Sequence, residues 1–317
     1  MTAEVHLWDA SMGGGSGGML HGGGAGGAMR PAATLTGMTA GVYDVAFTAD
    51  GAQVLGAGAD KSLHVWDVSS GQTRHTLTGH SAAVTGVDCD PLDAKTAASC
   101  SEDRCIKLWD LSRGFCVRSL PCTKMPSCLL MARDGSTVVT GHVDGTVCLW
   151  DARAGARGGG GMAGPVLEAK DHTQAICALA CTSNESTLLI VSRDNTVCLW
   201  DFRVMSTQST LRAPGFAVGT IGSMGRGRCH VEMSVDGRFV AVGAADGGVY
   251  VWDMGSGASA LGHTSGGGAS APGPSPVVLR YHKDAVVACS FSSDVSSLVT
   301  ADRGGAVCAW SLVSDGE

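Results

Sequence analysis

The apolar positions of this chain fall in short runs separated by polar turns, and the runs come in recurring sets. One kind of run is apolar through most of its length: Val42–Phe47, Val84–Cys89, Ile176–Cys181 and Val286–Phe291. A turn follows, such as Ala49-Asp50-Gly51, Arg133-Asp134-Gly135 or Val235-Asp236-Gly237. Next comes a second run: Ala52–Ala57, Thr96–Cys100, Thr137–Thr140, Thr187–Ser192, Phe239–Gly243 and Ser297–Thr300. A second turn then leads into a third run that ends in Trp, as in Ile106-Lys107-Leu108-Trp109. Runs of this length bounded by Asp and Gly turns predict three inner β-strands per set. A fourth, outer strand is more weakly patterned, for instance Gln72–Leu77, Phe115–Leu120 and Val277–Arg280.

The sets are repeats. All seven tryptophans share one context, with Trp8, Trp66, Trp109, Trp150, Trp200 and Trp252 each followed by Asp and Trp310 followed by Ser311, at intervals of 58, 43, 41, 50, 52 and 58. Five of them have an Asp six residues earlier: Asp60/Trp66, Asp103/Trp109, Asp144/Trp150, Asp194/Trp200 and Asp246/Trp252. A period of roughly 40–45 residues is that of one four-stranded propeller blade. The longer intervals hold Gly-rich insertions near residues 11–29, 155–164, 219–228 and 255–275, which read as surface loops. The expected fold is all-β, a seven-bladed β-propeller forming a single domain over residues 1–317, with repeats ending near 9, 67, 110, 151, 201, 253 and 311. The chain opens inside the last inner strand of its first blade, at Glu4–Trp8, so that blade is expected to be incomplete and the last blade three-stranded. The expectation is a truncated chain or an incomplete gene model, whose unpaired edge would be an aggregation liability.

Composition narrows the function classes. The chain has 317 residues, 44% of them apolar, and a net charge of −7 without a block of basic residues, so no footprint for nucleic acid or an anionic membrane is visible. Thirteen cysteines, an odd number without a pairing framework, read as reduced thiols of a cytoplasmic protein. Neither a signal peptide nor a membrane-spanning run is present.

Candidate chemistry resolves into structure. Ser99, His80 and Asp103 have the composition of a nucleophilic triad, but they lie inside one repeat with Trp109 at its end, which favours a structural network. The Gly14-Gly15-Ser16-Gly17-Gly18 stretch fits a nucleophile elbow only formally, with no strand before it and no helix after. No Gly-Lys dipeptide exists to cradle phosphate, and Cys89, Cys100, Cys105, Cys116, Cys122 and Cys128 include no close pair of the kind structural zinc uses. No catalytic residue, cofactor or metal is expected, and the chain is read as a non-enzyme.

The set Gly79-His80, Ser99, Asp103 and Trp109 resembles the hydrogen-bonded tetrad of WD repeats (WD40). That resemblance implies that Asp orients His, His bonds the hydroxyl, and the hydroxyl takes the indole N–H. Gly56, Thr140, Ile190 and Val242 stand at the hydroxyl position elsewhere, so only one further network, with Thr140, is expected to come near completion. Among WD proteins the chain is similar to the C-terminal propeller of the autophagy-related protein 16 family. The similarity is carried by Arg74–Ser81, Ser101–Leu111, Gly141-His142-Val143-Asp144 and Ala213-Pro214-Gly215-Phe216.

The resemblance implies a non-catalytic adaptor in autophagosome formation that binds proteins or peptides, including the autophagy conjugation machinery. Such an adaptor would be cytoplasmic, recruited to autophagosomal membranes without inserting into them. Propellers bind where loops converge. Repeat phase places Ala59, Glu102, Val143, Arg193 and Ala245 at one rim, and Glu102 and Arg193 are candidate contacts there, with Tyr43 and Phe216 as aromatic anchors or, equally, core residues. The alternative reading is a substrate receptor of a cullin-type ubiquitin ligase, because Trp150-Asp151-Ala152-Arg153 and Trp200-Asp201-Phe202-Arg203 match a Trp-Asp-x-Arg adaptor motif.

Overall fold

Residues 3–9, 30–153, 164–182, 186–202, 206–218, 230–255 and 274–311 are described by a computed structural model of the chain. Among them there is no helix, and twenty-five strands form seven antiparallel sheets. The first sheet pairs β1 (Ala3–Asp9) with β2 (Arg30–Met38) only. The second holds β3 (Val42–Phe47), β4 (Gln53–Gly58), β5 (Leu63–Asp67) and β6 (Thr73–Leu77). The third holds β7 (Val84–Cys89), β8 (Thr96–Ser101), β9 (Cys105–Asp110) and β10 (Phe115–Pro121). The fourth holds β11 (Pro126–Met131), β12 (Thr137–His142), β13 (Val147–Asp151) and β14 (Leu167–Ala169). The fifth holds β15 (Ile176–Cys181), β16 (Thr187–Ser192), β17 (Thr196–Asp201) and β18 (Ser206–Leu211). The sixth holds β19 (Val231–Met233), β20 (Phe239–Gly243), β21 (Gly248–Asp253) and β22 (Val277–Arg280), and the last β23 (Val286–Phe291), β24 (Ser297–Asp302) and β25 (Val307–Ser311). This is a β-propeller arrangement of six blades, the last three-stranded, preceded by a partial one.

The chain divides into two compact units at Ile176/Cys177. In the first, the second of the four-stranded sheets packs on the first through Leu55, Ala57, Val65, Val87, Ala97 and Trp109, all buried. In the second, Leu189, Val191, Val240, Val242, Tyr250 and Trp252 form the corresponding core. Strands buried on both faces explain why β4 and β16 read as continuous apolar runs and not as alternating ones.

The turns that join the second and third strands of the five four-stranded sheets share a backbone requirement. The residue after the turn Asp is left-handed in every case: Lys61 (φ 68°), Arg104 (φ 63°), Gly145 (φ 85°), Asn195 (φ 63°) and Gly247 (φ 78°). At Gly145 a Cβ would lie 2.3 Å from the His172 carbonyl oxygen, so glycine is required there by space as well as by conformation. The outer strands β14 and β18 carry no apolar pattern that announces them, since β14 is three residues long and β18 reads Ser-Thr-Gln-Ser-Thr-Leu. Two of the four Gly-rich insertions, near 11–29 and 219–228, lie outside the described residues, as does most of the other two, near 155–164 and 255–275.

Candidate functional site

The turn after β8 carries Asp103, and its carboxylate gathers three donors: Ser81 N at 2.9 Å, Cys105 N at 3.0 Å and His80 Nδ1 at 2.9 Å. His80 Nε2 lies 2.8 Å from Ser99 Oγ, and Trp109 Nε1 donates to that oxygen at 2.8 Å. Burial opposes ionisation of Asp103, but the Ser81, His80 and Cys105 bonds outweigh it and hold the carboxyl below its usual range. Burial likewise holds the His80 imidazole below its ordinary value, against the pull of Asp103. The imidazole is therefore neutral, with its proton on Nδ1 facing the carboxylate, and Nε2 accepts from the Ser99 hydroxyl. Ser99 is completely buried, so this hydroxyl has no face to offer a substrate.

The last sheet carries a second complete network that the sequence reading missed. His282 Nδ1 lies 3.0 Å from Asp302 Oδ2, His282 Nε2 2.7 Å from Thr300 Oγ1, and Trp310 Nε1 donates to Thr300 at 2.9 Å. Its Asp stands eight residues before Trp310 instead of six, at the end of β24, where Ser101 ends β8. Thr300 at the usual distance from Trp310 was the available signal.

Around Thr140 the network is rebuilt from different parts. Trp150 Nε1 donates to Thr140 Oγ1 at 2.8 Å, and the partner imidazole is His142 of the same strand, 3.0 Å away. Asp144 pairs with Lys124 at 3.2 Å, and Lys124 also bonds Thr146 and Glu168. Burial again depresses the His142 imidazole. Where Gly56 stands at the hydroxyl position, Trp66 lies against the glycine and donates to the Thr36 carbonyl at 2.9 Å. Where Val242 stands there, Trp252 Nε1 is buried with no partner. Asp60 lies 3.4 Å from His64, Asp194 takes Thr196 N, and Asp246 takes Gly248 N, so each turn Asp braces its own turn. Trp200 is buried at the end of β17.

Carboxylates also tie neighbouring sheets together, a feature not visible in the sequence. Asp44 on β3 accepts from Val87 N of β7 at 2.8 Å, and Asp88 on β7 accepts from Met131 N of β11 at 2.8 Å. Glu232 on β19 accepts from Phe291 N of β23 at 3.0 Å, and burial raises its carboxyl above the ordinary value.

The candidate rim residues separate. Backbone bonds from Ala59, Glu102, Val143 and Ala245 to the segment before the innermost strand recur at 2.8–3.2 Å, which places these positions equivalently in their sheets. Glu102 and Arg193 are half-buried beside their turns, and Tyr43 is half-buried on β3. Phe216 does not belong to a rim. It is 5% exposed and packs edge-on against Tyr250 and Trp252, because an aromatic ring between repeats has more apolar surface to bury there than to present. Arg153 is exposed, whereas Arg203 lies outside the described residues. No group of His, Cys, Asp or Glu among the described residues could hold a metal ion, and no helix is long and apolar enough to cross a membrane.

The family model "WD domain, G-beta repeat" matches residues 29–67, 71–110, 114–151, 164–201, 226–253 and 274–311. Each of these repeats but one begins with an outer strand that completes the preceding sheet and continues with the three inner strands of the next, so the sequence unit is offset from the sheet. The chain is similar to "Autophagy-related protein 16" of Arabidopsis thaliana, 32% identical over 277 residues that make up 87% of this chain and 48% of the relative. It is also similar to "Protein tipD" of Dictyostelium discoideum, 28% identical over 87% of this chain and 41% of the relative. A shorter match, 27% over 38% of the chain, is to "Pre-mRNA-splicing factor cwf17" of Schizosaccharomyces pombe. The chain thus spans about half the length of the first two relatives it matches. With six matched repeats folded as six blades, each with Trp near the end of its third strand and five of the six carrying Trp–Asp, the chain belongs to the WD-repeat (WD domain, G-beta repeat) family.

Proposed function

We infer that the chain is a non-catalytic protein-binding adaptor of the autophagy-related protein 16 type, acting in the cytoplasm and recruited to autophagosomal membranes through the proteins it binds. The observation that carries this reading is the 32% identity to that relative across 87% of the chain, far beyond what the repeat pattern imposes on the short match to a splicing factor. Buried tetrads favour a scaffold: the hydroxyl, imidazole and carboxylate groups that resemble catalytic machinery are spent on holding tryptophans in place. Glu102, Arg193 and Tyr43 are the proposed contacts, placed beside turns where peptides can be docked on rigid sheets.

The test is a pull-down from autophagy-induced cells read by mass spectrometry. Recovery of the autophagy conjugation machinery, reduced by combined Glu102→Ala and Arg193→Ala substitution, is the expected result. Recovery of a cullin-ligase adaptor instead, lost on combined Arg153→Ala and Arg203→Ala substitution, would replace this reading with that of a ligase substrate receptor.

A further inference from the structure

Four cationic side chains among the described residues are half-buried: Lys107, Arg118, Lys124 and Arg193. Three of them reach oxygen. Lys107 Nζ donates to Ser119 Oγ at 2.7 Å, Arg118 Nη1 to the Ala152 carbonyl at 2.6 Å, and Lys124 Nζ to Thr146 Oγ1 at 2.9 Å, beside the carboxylates of Asp144 and Glu168. Arg193 differs. Its guanidinium donates to the thiol of Cys177 on β15, a weak acceptor. Its Nε is shut off from solvent and finds no acceptor, and among the described residues Arg193 has no ion pair. A guanidinium is a permanent cation, so partial burial removes hydration here without an anion in return.

The adjacent carboxylate is committed elsewhere, since Asp194 takes the Thr196 N–H at 3.2 Å and the Thr196 hydroxyl. The cation is also held in place. Arg193 follows β16 directly and opens a turn in which Asn195 is left-handed (φ 63°) and accepts from Val218 N through Oδ1 at 3.0 Å. Cys177, itself buried, fixes the guanidinium over the start of the innermost strand of the same sheet. Thr85 and Ser127 are the corresponding second residues of β7 and β11, and their hydroxyls turn to main-chain carbonyls. Glu102 and Val143 stand in those sheets where Arg193 stands here, so neither of them presents a cation at this position.

We propose that Arg193 is an anion subsite that takes an Asp or Glu carboxylate of a bound peptide. This rests on the reading of the chain as a protein-binding adaptor and gives the partner its chemistry. A planar fork of N–H donors matches a carboxylate through two parallel hydrogen bonds. The side chain is already positioned and partly stripped of water, so little ordering remains when the anion arrives.

The test uses the full chain under reducing conditions and a library of random peptides displayed on phage, selected in parallel on wild type and on Arg193→Gln. Peptides recovered on wild type are expected to share an Asp or Glu at one consensus position. A synthetic peptide of that consensus should bind Arg193→Gln at least about tenfold more weakly. Replacing the peptide acid by its amide should weaken binding to wild type as much, and should weaken binding to Arg193→Gln no further. Arg193→Lys, which keeps the charge without the fork, should recover part of the binding. The amide peptide needs no variant of the chain, so the outcome does not depend on how Arg193→Gln folds. A consensus without an acidic position, no recovered binder, or equal binding of acid and amide peptides to wild type would overturn the proposal. The adaptor reading fails separately, if the pull-down returns no autophagy machinery whatever the library yields.

Discussion

Asp302 holds His282 from the end of a strand, whereas Asp103 holds His80 from a turn, yet both carboxylates meet the imidazole Nδ1 at nearly one distance, 3.0 and 2.9 Å. The two sites fix the same pairs, His to hydroxyl and hydroxyl to indole, by different main-chain routes. What is held constant is the Trp and the hydroxyl ten residues before it. The first prediction follows from that core. Ser99→Ala and Thr300→Val each strand an imidazole nitrogen and an indole N–H without a partner, and each is expected to cost about 2–4 kcal/mol. Urea denaturation checks this, and a loss below about 1 kcal/mol would show that the hydroxyl is not what holds Trp109 or Trp310.

The sixth sheet offers the converse. Trp252 has a buried, unpartnered indole N–H and Val242 where the hydroxyl stands elsewhere. Val242→Thr keeps the shape of the side chain and supplies the missing acceptor, so a gain of about 0.5–1.5 kcal/mol is expected. A lower denaturation midpoint in the variant would mean that the new hydroxyl costs more to bury than the indole bond returns.

Stability is expected to fall in acid in two stages. Burial holds His80 and His142 below their ordinary value of 6.5, so the folded chain binds these protons less readily than the unfolded one. Their contribution is whole above that value and is lost as pH falls through the depressed values. Asp103, held below 3.8 despite its burial, adds a second loss at lower pH. Glu232, raised above 4.5 by burial, has the opposite sign and softens the slope between the two. Urea midpoints measured from roughly pH 7.5 to pH 5 check the first stage, and a midpoint that rises on acidification would contradict it.

Thiol reactivity is expected to sort by burial. Cys100, Cys122, Cys148 and Cys289 are pushed up to about 12, chiefly by desolvation, and stay protonated at neutral pH. Cys105, Cys116 and Cys181 are half-exposed and should be alkylated first. Mass spectrometry after brief iodoacetamide treatment reads the order, and early labelling of Cys100 or Cys289 would show that their blades open readily.

The blades were legible because burial on both faces writes long apolar runs and because Trp recurs with Asp six residues before it. The second tetrad was not, since Asp302 satisfies the same imidazole from a position two residues off that spacing. The ties of Asp44, Asp88 and Glu232 were hidden for another reason: a carboxylate on a strand looks solvent-facing until the neighbouring N–H is seen. Phe216 stayed open between core and contact because an aromatic residue between repeats serves either equally well in sequence, and the rings of Tyr250 and Trp252 decide for the core.

The offset between repeat and sheet makes an outer strand that opens a repeat into a clasp. β6 begins the repeat 71–110 yet is bonded along β5, the last strand of repeat 29–67, from Leu77 opposite Leu63 to Thr73 opposite Trp66. Hydrolysis of the connecting turn would therefore break the covalent thread without parting the halves, since one fragment would still carry the strand that closes the other's sheet. A gene split at this turn would encode two pieces, each lacking something the other brings, and reassembly would be driven by the ladder that the intact chain already uses.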